Sequence, residues 1–484
     1  MRLGGRIILL AGASLLAVAP ARADTLREAL AAAYERNPTL TGARAQLRAT
    51  DENVPISRAA GLPTLGATGQ YDENVIQASS NFNAPLRSGF AGGQLSVPLY
   101  LGGQVRNNIR AAERRVDAGA AQLRGTEASV FSQVVAAYND VIRDQAIVAL
   151  NRENVNVLQV NLRATNDRFE VGDLTRTDIA QSQSRLALAE ADLRSAEAQL
   201  ISSRERYIQL VGDTPDALEP PPQLGNLPSD PDAAVTVAIE NNPDLEAVAR
   251  ELEATGFDVR AARALRGPRL SAVGTVGYTN FLGSLRANAI GVPIDQGQLT
   301  AGVGLQGTLP LFQGGLPAAR VRQAQARQSA TIERGIEIER SVIAQTRAAF
   351  ASWQASLRAI QSSQVAVDAS TLSLEGVRAE NSVGNRTIIE ILNAQQELLI
   401  AQVNLVSARR NAYVAAFTLL AAMGRAEARD LGLDGGTLYD PAVNRARVRN
   451  RIWDYDEDET PTAVSTRTVD TPAQNPETVP LPQP

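Results

Sequence analysis

Cysteine and histidine are missing from the 484-residue chain, and so is lysine: all 47 positive charges are arginine. Without cysteine there is no disulfide, no thiol nucleophile and no acylated N-terminal cysteine. Without histidine the commonest general base is gone, and with both absent so are the commonest zinc ligands. No plausible nucleophile, metal site or buried carboxylate pair takes their place, so the chain reads as a non-enzyme with no cofactor and no metal. The pairs Gly102-Gly103 and Gly314-Gly315 are not phosphate loops, because no Gly-Lys-Ser/Thr follows. A formal charge of −5 gives no sign of a nucleic-acid partner. Long apolar runs are scarce too. Ile7 to Val18 forms one, after Arg2 and Arg6 and before Ala21-Arg22-Ala23, a pattern that reads as a signal peptide over residues 1–23. It falls short of the roughly 20 residues that span a bilayer. No later stretch is apolar enough for a spanning helix, so entry into a membrane requires β-strands.

The chain does contain a duplication. Asn37-Pro38-x-Leu40 recurs as Asn242-Pro243-x-Leu245, and Pro63-x-Leu65 as Pro268-x-Leu270, both offset by 205 residues. Pro98-Leu99-Tyr100-x-Gly102-Gly103 recurs as Pro310-Leu311-Phe312-x-Gly314-Gly315, offset by 212, as are Val171-Gly172 with Val383-Gly384 and Gly212 with Gly424. Insertions collect in exposed loops, whereas a slip within a packed helix rotates its apolar stripe. Residues 70–98 therefore contain a loop, and 98–212 are nearly all helix. Heptads support this. Phe131 and Tyr138 run beside Val134, Val141, Val148, Val155 and Leu162 in the first copy. Ile343, Phe350 and Leu357 run beside Trp353, Ile360, Val367 and Leu374 in the second. Towards the Val-Gly break the seam turns polar at Gln145, Arg152 and Gln159, and at Gln364 and Thr371. The returning segments carry Ile179, Leu186, Leu193, Leu200 and Tyr207 in one copy and Ile391, Leu398 and Leu405 in the other.

A helix over 103–169 is on the order of 100 Å long, and its return over 175–211 covers about half of that. The helical segments 25–60 and 230–266 fill the rest. Strands account for what remains: Leu299, Ala301, Val303 and Leu305 alternate with Thr300, Gly302, Gly304 and Gln306, and Leu95, Val97 and Leu99 with Gln94 and Ser96. Apolar outside and polar or small inside suits a lipid-facing barrel. One hairpin per copy gives four strands, too few to close a barrel, so two, three or four chains share one. The expected divisions are a first repeat over 24–212, a Pro-rich connector over 213–229, a second repeat over 230–424, an equatorial segment over 425–450 and a disordered tail over 451–484.

At the helix reversals the sequence resembles the TolC family of outer-membrane efflux and type I secretion channels. Arg168 to Asp178 resembles the family's first tip, Asn381 to Leu392 its second, and with the duplicated motifs the likeness covers roughly residues 25–430. The resemblance implies a mainly α fold with a shared transmembrane β-barrel: a homotrimer with a 12-strand barrel in outer-membrane lipid and a coiled-coil tunnel through the periplasm. It implies two partners at the tip, a periplasmic adaptor and an inner-membrane transporter of RND or ABC type. It also implies site residues. Arg386 matches an arginine that holds a threonine and an aspartate of a neighbouring tip, here Thr177 and Asp178. Glu390 and Asn393 match two acidic constriction rings, of which this chain keeps the first. Asn381 matches a locking tyrosine and departs from it. Val171, Gly172, Leu174 and Thr175, with Val383, Gly384 and Thr387, fall on the adaptor-docking tip. The competing reading is a periplasmic coiled-coil adaptor or structural protein, but adaptors carry one hairpin between β domains, and here there are two.

Overall fold

The computed structural model describes residues 25–76, 85–225, 227–284, 294–433 and 438–477. The expected signal peptide lies outside them. Each repeat runs helix, strand, strand, long helix, return helix. The first comprises α1 (Leu26–Arg36), α2 (Pro38–Asp51), α3 (Asn53–Ala59), β1 (Thr64–Glu73), β2 (Arg87–Leu101), α4 (Gln104–Glu170) and α5 (Arg176–Val211). The second comprises α6 (Pro231–Asn241), α7 (Pro243–Ala264), β3 (Arg269–Asn280), β4 (Gly297–Thr308), α8 (Leu316–Ser382) and α9 (Ile388–Ala422), and α10 (Pro441–Val448) follows. The two long helices have 67 residues each, about 100 Å. Among the described residues no helix is long and apolar enough to cross a membrane.

The segments expected as continuous helices over 25–60 and 230–266 are broken, and the duplicated Asn-Pro motif breaks them. A residue before proline is driven out of the α region, and proline itself suits the first helical position. Asn37 and Asn242 accordingly sit at ψ 125° and 124°, with Pro38 and Pro243 opening α2 and α7. Each asparagine then does two jobs. Asn37 Oδ1 accepts from the Thr39 amide, capping α2, while its Nδ2 donates to the Leu210 carbonyl at the end of α5 (2.8 Å). Asn242 accepts from Asp244 and donates to Ala422 at the end of α9 (3.1 Å). The repeat is thus a repeated joint, where two stacked helices meet a returning one.

The main apolar core lies at these joints. Phe131 and Tyr138 of α4 are fully buried with Leu40, Leu200, Tyr207 and Phe417. Tyr34 tilts against Phe131 and Tyr138 against Tyr207, with ring centroids 6.2 and 6.4 Å apart. The Pro-rich connector passes here, and the Tyr138 hydroxyl donates to the Glu219 carbonyl (2.6 Å). Residues 425–450 clasp the same level: Arg124 of α4 pairs with Glu246 of α7 and with Glu427, both at 2.6 Å. Glu127 accepts from the Ala428 amide, and its burial pushes its carboxyl above the usual range. The segment from 451, expected as a disordered tail, is laid out through residue 477 as irregular chain with one short 3-10 turn. It is tied down by polar bonds alone, Ser465 to Thr41 (2.8 Å) and the Asn475 and Glu477 carbonyls to the buried Arg204 guanidinium. Periodicity carries no trace of such anchors.

The four strands make one antiparallel sheet in the order β1-β2-β3-β4. The register puts Leu65, Leu95, Val97, Ala272, Val276, Tyr278, Leu299, Val303 and Leu305 on one face, and Thr64, Gln94, Ser96, Thr275, Thr300 and Gln306 on the other. Leu65, Leu299 and Val303 are 81%, 72% and 94% exposed, so the apolar face is the outer one in a protein that has no apolar layer over it. Strict alternation fails once. A register shift between Pro98 and Tyr100 makes Leu99 the extra residue and turns Tyr100 onto the apolar face beside Leu270.

Candidate functional site

Both tips are built the same way from the same local chemistry. α4 ends in a left-handed glycine, Gly172 (φ 88°), and α8 in Gly384 (φ 84°). Their amides turn back to Phe169 and Asn381, and the next amides, of Asp173 and Asn385, reach Arg168 and Glu380, which completes a Schellman stop in each copy. Nothing lies within 4 Å of where a Cβ would stand on either glycine. The dihedral, not crowding, therefore demands glycine here, and both tips are open to solvent. Val171 and Val383 stand 76% and 70% exposed at the two apices. Leu174 is half-buried.

The return helices open on reciprocal caps. Thr175 donates through its amide and hydroxyl to Asp178 Oδ2 (2.8 and 2.7 Å), and the Asp178 amide returns to the Thr175 hydroxyl. Thr387 does the same with Glu390 Oε2 (both 2.8 Å). A threonine followed three residues on by an acid announces this box in the sequence, a signal the site assignment by resemblance passes over.

The second tip carries a second layer. Arg386 Nε donates to Glu380 Oε2 (2.7 Å) and Nη1 to Glu390 Oε1 (2.6 Å), so one guanidinium ties the end of α8 to the start of α9. Asn381 Nδ2 closes the same turn on the Arg386 carbonyl (2.6 Å). The Glu390 carboxyl is drawn down to about 2, chiefly by the Thr387 amide and then by Arg386 and the Thr387 hydroxyl. Asp178 lies below its usual range through Thr175 alone. Within one chain Arg386 is thus engaged by its own hairpin, and Thr177 and Asp178 stand on the other. The two hairpins are joined elsewhere. Arg185 of α5 donates to Asn393 Oδ1 of α9 (2.7 Å), so the asparagine that replaces an acidic ring residue accepts from an arginine instead. Glu380 and Arg185 escape a motif search, since only the folded turn brings them to Arg386 and Asn393.

Behind the tips the polar seam differs in detail from its sequence reading. Gln145 is buried and Gln159 exposed, while Arg152 reaches Glu197 (3.7 Å). Asn151, Asn154, Thr165 and Ser182 are the buried polar groups, with the Thr165 and Ser182 hydroxyls 3.3 Å apart. A seam of this kind is less stable than an apolar one. Gln364 and Thr371 are half-buried in the second copy.

Comparison with known proteins agrees with this architecture. The outer membrane efflux protein family matches residues 29–213 and 234–425, one match to each repeat. The outer membrane efflux protein BepC of Brucella suis biovar 1 (strain 1330) is 34% identical over 446 residues, covering 92% of this chain and 94% of that protein. The outer membrane protein TolC of Escherichia coli (strain K12) is 25% identical over 417 residues, covering 85% and 84%. Among solved structures, the CmeC outer membrane channel of Campylobacter jejuni superposes with a TM-score of 0.72 at 18% identity, covering 88% of this chain and 89% of that one.

Proposed function

Since the chain belongs to the outer membrane efflux protein family, and so forms an exit duct of the outer membrane with its helical tunnel in the periplasm, we propose that three copies close one duct whose second tip holds the latch. The observation that carries the closure is that sheet and helix layer end open together. β1 and β4 each lack a partner on one side. α4 has return helices on both sides and buries residues from Ala111 to Thr165, whereas α8, of equal length, buries only Val321, Val342, Thr346, Ala349 and Leu374. An edge strand and an unpartnered helix face on the same repeat call for the same neighbour. Three chains supply 12 strands, within the range of known barrels, where one chain falls short. Native mass spectrometry in detergent tests this, and a stable monomer rules it out.

The latch joins Arg386 to Thr177 and Asp178 of a neighbouring first tip. Asp178 Oδ1 and Arg386 Nη2 are the atoms that the local caps leave over for such a bond. Glu380 and Glu390 hold the guanidinium ready, and Asn393 and Asn381 line the same constriction. Planar-bilayer conductance of Arg386→Ala and Asp178→Ala tests it: both should conduct more than the parent, and parental conductance in both places the latch elsewhere.

The exposed apices, Val171 to Thr175 and Val383 to Thr387, are the docking surface for a periplasmic adaptor, which in turn brings an RND or ABC transporter. Val171→Arg and Val383→Arg leave the glycine dihedrals alone and should abolish efflux without disturbing assembly. Full efflux in both refutes the docking assignment.

A further inference from the structure

Beyond α10 the chain carries three large side chains with nothing over them. Ile452, Trp453 and Tyr455 are 71%, 72% and 84% exposed, and the two aromatic rings tilt together with centroids 6.3 Å apart. Their position is fixed by the bonds around them. Asn444 of α10 donates to Asp51 at the end of α2 (2.6 Å), and Arg445 pairs with Asp117 of α4 (2.7 Å). Further along, the Arg449 carbonyl accepts from Arg58 of α3, which also reaches the Asn450 side chain (3.3 Å). Asp51 to Arg58 is the direction of the barrel, so α10 climbs towards it. The chain then reverses: the Asp456 amide donates to the Trp453 carbonyl (3.2 Å), and Asp458 returns to Arg447 and Arg451 (2.7 and 2.5 Å). Residues 452–455 are therefore the apex of a clamped loop. Six residues separate Arg58 from Thr64, the first residue of the barrel, and hydrogen-bonded turns at Gly61 and Leu62 shorten them, so chain geometry caps the gap at roughly 20 Å. Tyr100, turned onto the lipid face by the register shift, stands at the same rim.

We propose that the Trp453–Tyr455 apex is a membrane-anchoring site that beds among the phospholipid headgroups of the periplasmic leaflet, beside the barrel wall. Tryptophan and tyrosine are the side chains whose amphipathic rings settle at that depth. The lipid-facing strands supply the continuous surface that brings the bilayer to the loop. Charge narrows the occupant. Arg447 and Arg451 neutralise Asp456 and Asp458, whereas Asp454, Glu457 and Glu459 keep a negative sign that disfavours anionic headgroups and suits zwitterionic ones. The site rests on the outer-membrane placement of the barrel.

The chain has two tryptophans, Trp353 and Trp453, so Trp353→Phe leaves Trp453 as the sole emitter. The full-length variant is reconstituted into phosphatidylcholine vesicles, and flotation reports barrel insertion separately. A phospholipid with a nitroxide at headgroup depth should quench Trp453 roughly two-fold, as expected of an interfacial ring, and iodide in the water should quench it little. In vesicles that float, quenching by iodide and not by the labelled lipid overturns the anchor while leaving the barrel in place. Quenching by neither overturns it as well, and assigns the apex to a neighbouring copy.

Discussion

Arg386 and Glu390 lie one helical turn apart, and their link decides how the tip responds to acid. Glu390 titrates at about 2 in the folded chain against an ordinary 4.5. A depressed acid contributes its bond fully above the ordinary value and loses it as pH falls through the folded one. Arginine stays charged throughout. If the Arg386 clasp holds the tip, conductance in planar bilayers stays flat from neutral pH down to about 4.5 and rises from there towards about 2. Glu390→Gln should conduct more at neutral pH and show no further rise on acidification. A parental profile for that variant would remove Glu390 from the latch. Glu380→Ala tests the other half: it frees Nε of Arg386 and should raise conductance less than Arg386→Ala, since Glu390 still holds Nη1.

At the scale of elements, the joints explain why motifs recur where they do. Replacing Asn37 by alanine removes a cap and leaves the Leu210 carbonyl buried without its donor, a loss of about 2 kcal/mol in all. Asn37→Asp keeps the acceptor and deletes the donor, so chemical unfolding followed by circular dichroism separates the two contributions. Asn242 should behave alike through Ala422. The glycines that end the return helices should differ. Both Gly212 (φ 88°) and Gly424 (φ 70°) sit where a side chain costs roughly 1–2 kcal/mol. A Cβ on Gly424 would also stand 2.4 Å from the Asn241 carbonyl oxygen, but one on Gly212 meets only the Thr466 hydroxyl at 3.0 Å. Gly424→Ala should therefore lower the unfolding midpoint well below that of Gly212→Ala, and equal midpoints would mean that the second joint yields freely. These joints also mark the reach of sequence reading. Repeat offsets and heptads placed the long helices to within a residue or two, because register in a packed helix tolerates no slip. The break at Asn37 was written in the same motif, but an Asn-Pro pair ends one helix and starts another only where a third supplies a carbonyl. The shift at Pro98 and the Glu380–Arg386 pair were not legible, since each depends on what the fold lays alongside.

For the whole molecule, the two repeats serve as each other's control. On α4 the stripe Asp140, Ile147, Asn154 and Asn161 is half-buried or buried, and Asp140 pairs with Arg410 of α9 (2.9 Å). The positions 212 residues on, Ser352, Ala359, Ala366 and Ser373 of α8, are all exposed. Since the repeats share helix lengths and the same reversals, an equivalent stripe needs an equivalent neighbour. For α4 that neighbour is the return helix of the other repeat, α9. For α8 no return helix remains in the chain, and the one left over is α5 of the next copy. The small side chains on the α8 stripe let a helix approach closely, and bulk there should act on assembly alone. Ala366→Trp adds a large ring to a residue that the single chain leaves in solvent, so helix content by circular dichroism should match the parent. The trimer recovered in detergent should fall sharply, with monomer taking its place on native mass spectra. A full yield of trimer would show that the closing contact runs along another face of α8, and the symmetry of the repeats would then not extend to the way the copies join.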